Sequence, residues 1–256
     1  MPPIVSLLIG VLACSTAVIW IKLSSVDSIT LVALRLAIAG AVLLPWAIAD
    51  WRRRRGEMSW THLRDAALPG VVFAAHLITW NWGIRQTFAA NGTLIVNLNP
   101  IVTPVLLMLL AGERVTTREV KATLLAVAGL VILFVNDYRL SGDSFRGDLI
   151  CFGSMLLMSV YLTLAKRFRH HPTTLLYVTP LYLSAAVVAA CATPWAAANG
   201  PLDWRYEVIW VLVLAFIPTL LGHSMLNQAM RRLRGQVVSL VNMTQFVFAA
   251  VLAWLV

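Results

Sequence analysis

The chain has 256 residues, of which 60% are hydrophobic and only 12% are charged, with a mean hydropathy of +0.82. A soluble domain carries about 25% charged residues, and a soluble core of this size could not bury so much apolar surface. The sequence therefore predicts an integral membrane protein. The net charge of +9 lies in short blocks between apolar segments. This pattern is typical of membrane topology and predicts no nucleic-acid partner.

Nine segments are long and apolar enough to cross a bilayer, which takes about 20 mainly apolar residues. In chain order they are residues 4–21, 29–49, 66–85, 93–111, 118–136, 147–167, 173–194, 207–229 and 235–256. Because lipid offers the backbone no hydrogen-bond partner, each segment is predicted to be a helix. The first segment follows no basic stretch, which favours a retained span over a cleaved signal peptide.

The basic residues predict the orientation of the chain. If the N-terminus is cytoplasmic, the inner loops hold Arg52, Arg53, Arg54, Arg55, Arg64, Arg114, Arg118, Lys121, Lys166, Arg167, Arg169, Arg231, Arg232 and Arg234. The outer connections hold Lys22, Arg85, Arg139, Arg146 and Arg205. Cytoplasmic loops of membrane proteins are enriched in Lys and Arg. A cytoplasmic N-terminus in a multi-pass protein of a bacterial-type inner membrane is the prediction.

The two halves of the chain resemble each other. Three stretches of the first half recur in order in the second half, at offsets of 149, 146 and 145 residues. They are Pro45-Trp46-Ala47 with Pro194-Trp195-Ala196, Asn81 and Arg85 with Asn227 and Arg231, and Leu94 to Asn97 with Ser239 to Asn242. This predicts a five-helix repeat at residues 1–136 and a second repeat at residues 147–256, which holds four helices and lacks the last one. Five is an odd number, so the repeats are inverted, as in secondary transporters.

The repeat also predicts a tenth span that the sequence does not contain. At the offset of 145, Val256 corresponds to Ala111, so the chain stops just before the expected Gly-Glu turn and a last helix. We interpret the sequence as truncated or partly covered. A natural nine-helix protein is the alternative.

Five stretches carry a resemblance to a known protein family, and three of them lie in or directly after the third and fourth spans. They are Asn81-Trp82-Gly83-Ile84, Asn97-Leu98-Asn99-Pro100 and Gly112-Glu113-Arg114, with Gly222-His223-Ser224 and Val238-Ser239-Leu240 in the second half. The chain resembles the EamA-type permeases of the drug/metabolite transporter superfamily over its whole length, and most clearly in these stretches. It departs from the family at Gln245, where proline is frequent. The resemblance implies ten helices, with spans one to four and six to nine around a central cavity and spans five and ten outside.

The fourth span is the first candidate for solute binding. It carries Asn97, Asn99 and Thr103 beside Pro100 and Pro104. A proline removes a backbone donor, and in lipid such a break is tolerated only against protein or a water-filled cavity. The two amides can donate and accept, which suits a polar or zwitterionic solute. A kinked helix with its amides bonded to neighbouring helices is the alternative.

Polar side chains in three further spans complete the candidate site. The third span supplies His76, Trp80 and Asn81, the eighth supplies His223 and Asn227 beside the helix-breaking Pro218, and the ninth supplies Asn242 and Gln245. Polar residues within membrane helices are functional candidates by default. Each histidine could relay protons near neutral pH or could serve as a neutral hydrogen-bonding group.

Arg35 is the one charge predicted to lie well inside a span. Its side chain could extend outward along the helix to the interface or make a structural carbonyl contact. It could instead contact an anionic group of the solute, such as a carboxylate. The predicted spans carry no acidic residue at mid-membrane, and the sequence has no nucleotide-binding or hydrolase motif. No catalytic residue, metal site or cofactor is predicted.

These patterns predict a secondary transporter that moves small metabolites, amino acids or drug-like solutes by alternating access. The predicted partners are a small-molecule solute, the lipid bilayer and, through His76 or His223, protons as a coupling ion; uncoupled diffusion is equally open. A homodimer is compatible with the sequence. The alternatives are an intramembrane enzyme, which would need a converging nucleophile and base or a metal cluster, and a non-transporting membrane partner or remnant.

Overall fold

The structure is a computed structural model that describes residues 2–137, 142–196 and 202–255, and every regular element in these ranges is helical. The predicted all-α membrane fold is confirmed. The helices are α1 Pro3–Ser15, α2 Ala17–Leu23, α3 Ser28–Arg53, α4 Trp60–Arg85, α5 Ala89–Val96, α6 Asn99–Ala111, α7 Thr117–Asp137, α8 Gly142–Arg167, α9 Thr174–Ala192, α10 Trp204–Leu214, α11 Ser224–Arg232, α12 Gly235–Asn242 and α13 Gln245–Leu255. Arg139, predicted in an outer connection, lies outside the described residues.

Seven stretches of the described chain are long and apolar enough to cross a membrane. They are Pro3–Leu23, Ser28–Arg53, Trp60–Arg85, Ala89–Ala111, Ser144–Arg167, Thr174–Trp195 and Trp204–Arg232. Each coincides with a predicted span, although most extend a few residues further at one or both ends. The predicted spans at 118–136 and 235–256 coincide with α7 and with the pair α12 and α13.

Local capping explains several helix ends. Asp27 precedes α3, and its Oδ1 accepts hydrogen bonds from the backbone N–H groups of Ile29 and Thr30 at 2.9 and 3.0 Å. An N-cap carboxylate satisfies donors that the first turn leaves open. Further along the first half, α6 ends before Gly112, whose φ of +65° is the left-handed conformation that glycine adopts without strain. The predicted Gly-Glu turn therefore begins at this residue.

Three of the membrane-crossing stretches are interrupted rather than straight. The first turns at Thr16 between α1 and α2, and the fourth breaks at Asn97 and Leu98 between α5 and α6. The seventh, Trp204–Arg232, which is predicted span eight, contains a π-helical segment, Ala215–His223, between α10 and α11. Predicted span nine breaks in the same way at Met243 and Thr244, between α12 and α13. Helix interruptions of this kind are concentrated at functional sites in membrane proteins.

The two halves of the chain pack against each other along most of their length. Helix α3 lies against α9, α4 against both α8 and α9, and α1 against the π-helical segment and α11. The approach is closest at Gly70, where an added Cβ would lie 2.0 Å from Ser184 Oγ and 2.5 Å from the carbonyl oxygen of Leu181. Small residues permit such close helix packing in lipid, and the largest hydrophobic cluster contains residues of both halves.

Candidate functional site

A cavity of about 50 Å³ lies between the two halves, at the level of the helix interruptions. Its walls come from both halves. They are formed by Cys14, Ser15, Ala17, Val18, Arg35, His76, Leu77, Trp80, Thr93, Val96, Asn97, Asn99, Met158, His223, Asn242 and Gln245. Pockets that enclose drug-sized ligands measure about 300 to 1,000 Å³. The cavity therefore has room for a few water molecules in this conformation and must widen to admit a solute.

The two broken helices meet this cavity at equivalent positions. Asn97 follows the last residue of α5, and Asn242, 145 residues later, ends α12. Asn97 Nδ2 donates to the carbonyl oxygen of Thr93 at 2.7 Å, and Gln245 Nε2 donates to Asn242 Oδ1. Because Gln245 occupies the position of Pro100, the second helix breaks without a proline. The side-chain amides of Asn97 and Asn242 thus lie at the two helix breaks, and both residues line the cavity.

The two predicted histidines both line the cavity but differ in their partners. His76 Nδ1 lies 3.0 Å from the carbonyl oxygen of Ser154 and 2.9 Å from its hydroxyl. A carbonyl oxygen only accepts, so this geometry assigns a proton to His76 Nδ1. His223 packs edge-on against Phe73, with ring centroids 4.6 Å apart. Its Nδ1 is buried and has no hydrogen-bond partner among the described residues.

Arg35 is enclosed by protein, with 1% of its surface exposed, and it lines the cavity. Its side chain therefore does not extend outward to the membrane interface, and the snorkelling interpretation is wrong. The guanidinium Nε donates to Thr219 Oγ1 at 2.7 Å. No carboxylate is among the residues that line the cavity in the described part of the chain.

Three predicted binding residues are buried away from the cavity. Asn227 Nδ2 donates to Tyr161 Oη at 2.5 Å and to the carbonyl oxygen of His223 at 2.7 Å, which makes it a tie between helices. Thr103 Oγ1 donates to the carbonyl oxygen of Asn99 at 2.8 Å, one turn back along α6. Asn81 is fully buried in α4, five residues beyond His76 and therefore on another face. Helical spacing separates Asn81 from His76, but it could not separate Asn227 and Thr103 from the cavity wall, since each lies one turn from a residue that lines the cavity.

The predicted helix-breaking prolines lie at different depths. Pro100 and Pro104 border an outer groove between α6 and α7, and the carbonyl oxygen of Pro100 accepts from Gln236 Nε2 at 3.1 Å. Pro218 lies within the π-helical segment and is buried. The prolines thus shape the helices, while the side chains that line the cavity are their polar neighbours.

The first span contributes a part of the cavity wall that the sequence analysis did not assign. Cys14, Ser15, Ala17 and Val18 line the cavity beside the turn at Thr16. Ser15 Oγ and Thr16 Oγ1 donate to carbonyl oxygens three residues earlier, at 2.7 and 2.8 Å. Such back-bonding bends helices. The signal in the sequence was the polar pair Ser15-Thr16 inside an otherwise apolar span.

Both ends of the bundle are tied by polar contacts between the halves. The basic face carries the loops 54–59, 112–116, 168–173 and 233–234. There, Lys166 Nζ lies 3.2 Å from Glu113 Oε2, and Arg234 Nε lies 2.5 Å from Glu119 Oε1. On the opposite face, Ser24 Oγ donates to Glu207 Oε2 at 2.8 Å. These contacts join the two halves at both ends of the bundle in this conformation.

Three imidazoles meet on the basic face, those of His62, His170 and His171, with ring centroids 5.1 to 5.3 Å apart. Burial lowers the pKa of His171, although its two ring nitrogens lie near the carbonyl oxygens of Phe168 and His62. Within residues 2–137, 142–196 and 202–255, no three His, Cys, Asp or Glu side chains are arranged to hold a metal ion.

Long apolar helices around a small polar cavity define a multi-pass membrane protein with an internal site. The model of the EamA-like transporter family matches residues 1–135 and 145–256. The chain belongs to the EamA-like transporter family. Its described residues include seven stretches that are long and apolar enough to cross a membrane, so it is a multi-pass membrane protein.

Two relatives from Bacillus subtilis (strain 168) carry the same description. The uncharacterized transporter YyaM is 26% identical over 172 residues, which cover 62% of this chain and 53% of YyaM. The uncharacterized transporter YrdR is 35% identical over 65 residues, which cover 25% of this chain and 19% of YrdR. The matched part of the chain thus spans about half the length of YyaM. A solved crystal structure is 21% identical in sequence and superimposes with a TM-score of 0.75. The match covers 99% of this chain and 88% of the chain in that structure. That structure shares the fold.

Proposed function

We propose that this transporter carries small metabolites, amino acids or drug-like solutes by alternating access across a bacterial-type inner membrane. One observation carries the proposal: a small cavity with polar side chains in its wall lies where interrupted helices from both halves meet. Secondary transporters bind their solutes near the midplane at such interfaces and rock one half against the other. Because the cavity is too small for a solute as it stands, one face must open at a time.

The orientation follows from the basic face. We propose that this face is cytoplasmic, since it collects most of the Lys and Arg side chains between the spans. The N-terminus is then also cytoplasmic. The repeats at 1–136 and 147–256 are the units that rock. Glu113 with Lys166 and Glu119 with Arg234 join the two repeats, so both ion pairs separate when the basic face opens.

Thiol labelling tests alternating access without knowledge of the solute. In a background with Cys14, Cys151 and Cys191 replaced by Ser, Val18→Cys places one thiol in the cavity wall. A membrane-impermeant methanethiosulfonate reagent is applied from one side of proteoliposomes and then from the other. We expect slow labelling from both sides. Labelling from one side only would contradict alternating access.

A cross-link across the basic face sharpens this test. Arg234 Nη2 donates to the carbonyl oxygen of Arg114 at 2.8 Å, so these exposed positions join the two halves. A bis-methanethiosulfonate bridge between Arg114→Cys and Arg234→Cys should abolish labelling of the cavity thiol from the basic face and keep it from the opposite face. The control bridge joins Arg114→Cys to Arg118→Cys within one half and should change neither. Labelling from both faces of the bridged protein would indicate a continuous pore.

Solute flux tests the site itself. Proteoliposomes loaded with a panel of metabolites are assayed for counterflow of each labelled compound, which a transporter catalyses and an enzyme does not. Asn97→Ala and Asn242→Ala, at equivalent helix breaks, should each reduce flux while the protein still inserts into membranes. Full flux in both variants would contradict a symmetric site at the breaks. Turnover of a lipid or peptide without flux would favour the intramembrane enzyme.

The coupling ion follows from the two histidines. We propose His223 over His76 as the proton carrier, because Nδ1 of His223 has no partner in the described part of the structure while His76 Nδ1 is bonded to Ser154. His223→Gln should abolish solute-driven proton uptake, whereas His76→Gln should retain it. Proton uptake that survives in His223→Gln would exclude this role. The homodimer stays a prediction, which light scattering of the detergent complex tests.

A further inference from the structure

The guanidinium of Arg35 lies in the cavity wall without a counter-ion among the described residues. Its Nη1 and Nη2 are buried and have no hydrogen-bond partner among the described residues, while Nε is held by Thr219. A buried charge costs several kcal/mol unless it is paired and hydrogen-bonded. In a membrane helix that cost is retained where the charge serves a ligand or a pathway. Arg35 therefore has both unused bonding capacity and unmatched charge at the site.

The other unpartnered groups of the cavity wall extend the same pattern. Asn99 Oδ1 accepts from Ser239 Oγ at 2.8 Å, which leaves its Nδ2 as a buried donor without a partner in the described chain. Thr93 Oγ1 and His223 Nδ1, which can each donate, are also without partners there. All of these side chains line the one cavity. A ligand that satisfies them must present hydrogen-bond acceptors and negative charge.

The π-helical segment fixes the direction of the guanidinium. Thr219 Oγ1 donates to the carbonyl oxygen of Leu214, five residues earlier, at 2.8 Å. Its hydroxyl proton is thus engaged, and its lone pair accepts from Arg35 Nε. The carbonyl oxygen of Thr219 accepts in turn from Tyr182 Oη at 2.9 Å. With Nε fixed, Nη1 and Nη2 remain as a planar pair of donors, which matches the two oxygens of a carboxylate.

Charge balance distinguishes a carboxylate from a phosphate. Arg35 supplies one positive charge, and the described residues of the cavity wall add no other Lys or Arg. One carboxylate neutralises it. A phosphate carries about two negative charges at neutral pH and would leave a net charge in the membrane interior. The apolar remainder of the wall, with Val18, Leu77 and Met158, suits a solute with a hydrocarbon part.

We propose that Arg35 binds the carboxylate of the transported solute through Nη1 and Nη2, and that Thr219 is its positioning residue. This assignment rests on the proposed transport function and names its substrate class, which is small organic acids with one carboxylate and no second charged group. The carboxylate fills the place of the missing counter-ion. Asn99 Nδ2 donates to the same group or to a neighbouring acceptor.

A library of matched pairs tests the assignment. Each compound is supplied as the carboxylate and as its primary amide, for example 4-methylpentanoate with 4-methylpentanamide and 3-phenylpropionate with 3-phenylpropionamide, with inorganic phosphate as the alternative anion. Counterflow into proteoliposomes is measured for each. We expect only carboxylates to be transported. Transport of an amide at the rate of its carboxylate, transport of phosphate alone, or transport of no compound in the library would overturn the assignment. The labelling of Val18→Cys decides alternating access independently.

Variants of the two residues locate the interaction. For each transported carboxylate, Arg35→Gln should weaken binding about 100-fold, the loss expected for a buried charge-assisted pair. Arg35→Lys should recover part of it, since it keeps the charge without the planar pair of donors. Thr219→Val should weaken binding about 10-fold, and Thr219→Ser should restore it. Arg205→Gln, at an exposed position with the same charge change, is the control. Unchanged binding in Arg35→Gln, checked for folding by thiol labelling, would overturn the assignment.

Discussion

Two buried basic side chains of this protein have opposite surroundings. Lys166, at the basic face, is 6% exposed; its ammonium lies 3.2 Å from the Glu113 carboxylate and also donates to the carbonyl oxygen of Leu233. Arg35, at the cavity, is 1% exposed and makes one hydrogen bond, to the hydroxyl of Thr219. The charge of Lys166 is matched within the protein. That of Arg35 is not, among the described residues.

The contrast indicates different roles for the two cations. A buried pair that is complete contributes to the structure, and removal of either partner leaves the other exposed to the full desolvation cost. A buried cation without a partner lowers stability and is retained for function. We therefore expect mutations at the two positions to change the free energy of unfolding in opposite directions, as the first two predictions test.

The largest effect is expected for Glu113→Gln. The substitution keeps the shape and an oxygen that can accept from the Gly235 N–H, now 2.8 Å from Glu113 Oε1, but it leaves Lys166 buried without its counter-ion. The free energy of unfolding should fall by about 3 kcal/mol, as measured by SDS titration in mixed micelles. The double variant Glu113→Gln/Lys166→Met should recover much of this loss. A loss below about 0.5 kcal/mol would mean that the pair behaves as an exposed one.

Arg35→Met should instead stabilise the protein, by about 1 kcal/mol in the same assay. The substitution removes an uncompensated charge from the interior and one hydrogen bond, while Thr219 keeps its bond to Leu214. Lys166→Met is the matched variant, with the same replacement at a paired position. It should destabilise the protein because it leaves the Glu113 carboxylate without its counter-ion. A loss of stability in Arg35→Met comparable to that in Lys166→Met would show that Arg35 is structural.

The surroundings of these two cations are among the features that could not be predicted from the sequence. Hydropathy predicted the helices, because each span needs about 20 apolar residues and little else. Many polar side chains of the cavity wall were also predictable, since polar side chains in lipid are rare, whereas its apolar part and the contribution of the first span were not. Their directions were not: Asn97 and Asn227 are both membrane asparagines, but one lines the cavity and the other bonds to Tyr161.

The partners of charges were equally beyond the sequence. The partner of Glu113 is Lys166, which the other half of the chain contributes. Arg35 could extend outward or inward from the same helix position, and only the packing of α3 against the π-helical segment fixed the direction. The π-helical segment itself has no periodicity that a sequence reveals. Pairings between distant residues depend on how whole helices pack.

A smaller effect is expected where a paired cation is exposed to solvent. Arg234 contacts Glu119 with two nitrogens, at 2.5 and 2.8 Å, and this carboxylate raises the pKa of Arg234. Nearly half of the Arg234 side chain is exposed, so solvent screens the pair. Arg234→Gln should cost about 0.5 kcal/mol in low salt and less in 0.5 M NaCl, conditions expected to leave the cost of Glu113→Gln nearly unchanged. Equal salt sensitivity of the two variants would remove the distinction between buried and exposed pairs.

The smallest effect concerns a basic group that folding keeps neutral. Burial lowers the pKa of His171 below the ordinary value of about 6.5. Between the two values the unfolded chain binds the proton more readily, so stability is complete above about pH 6.5 and is lost as the pH falls towards the folded pKa. The Tm in detergent should therefore decrease between pH 7.5 and 5.5, and His171→Gln should reduce that decrease. His170→Gln, at an exposed neighbouring imidazole, should preserve it. A Tm that rises on acidification would mean that the carbonyl oxygens of Phe168 and His62 stabilise a charged imidazole more strongly than burial disfavours it.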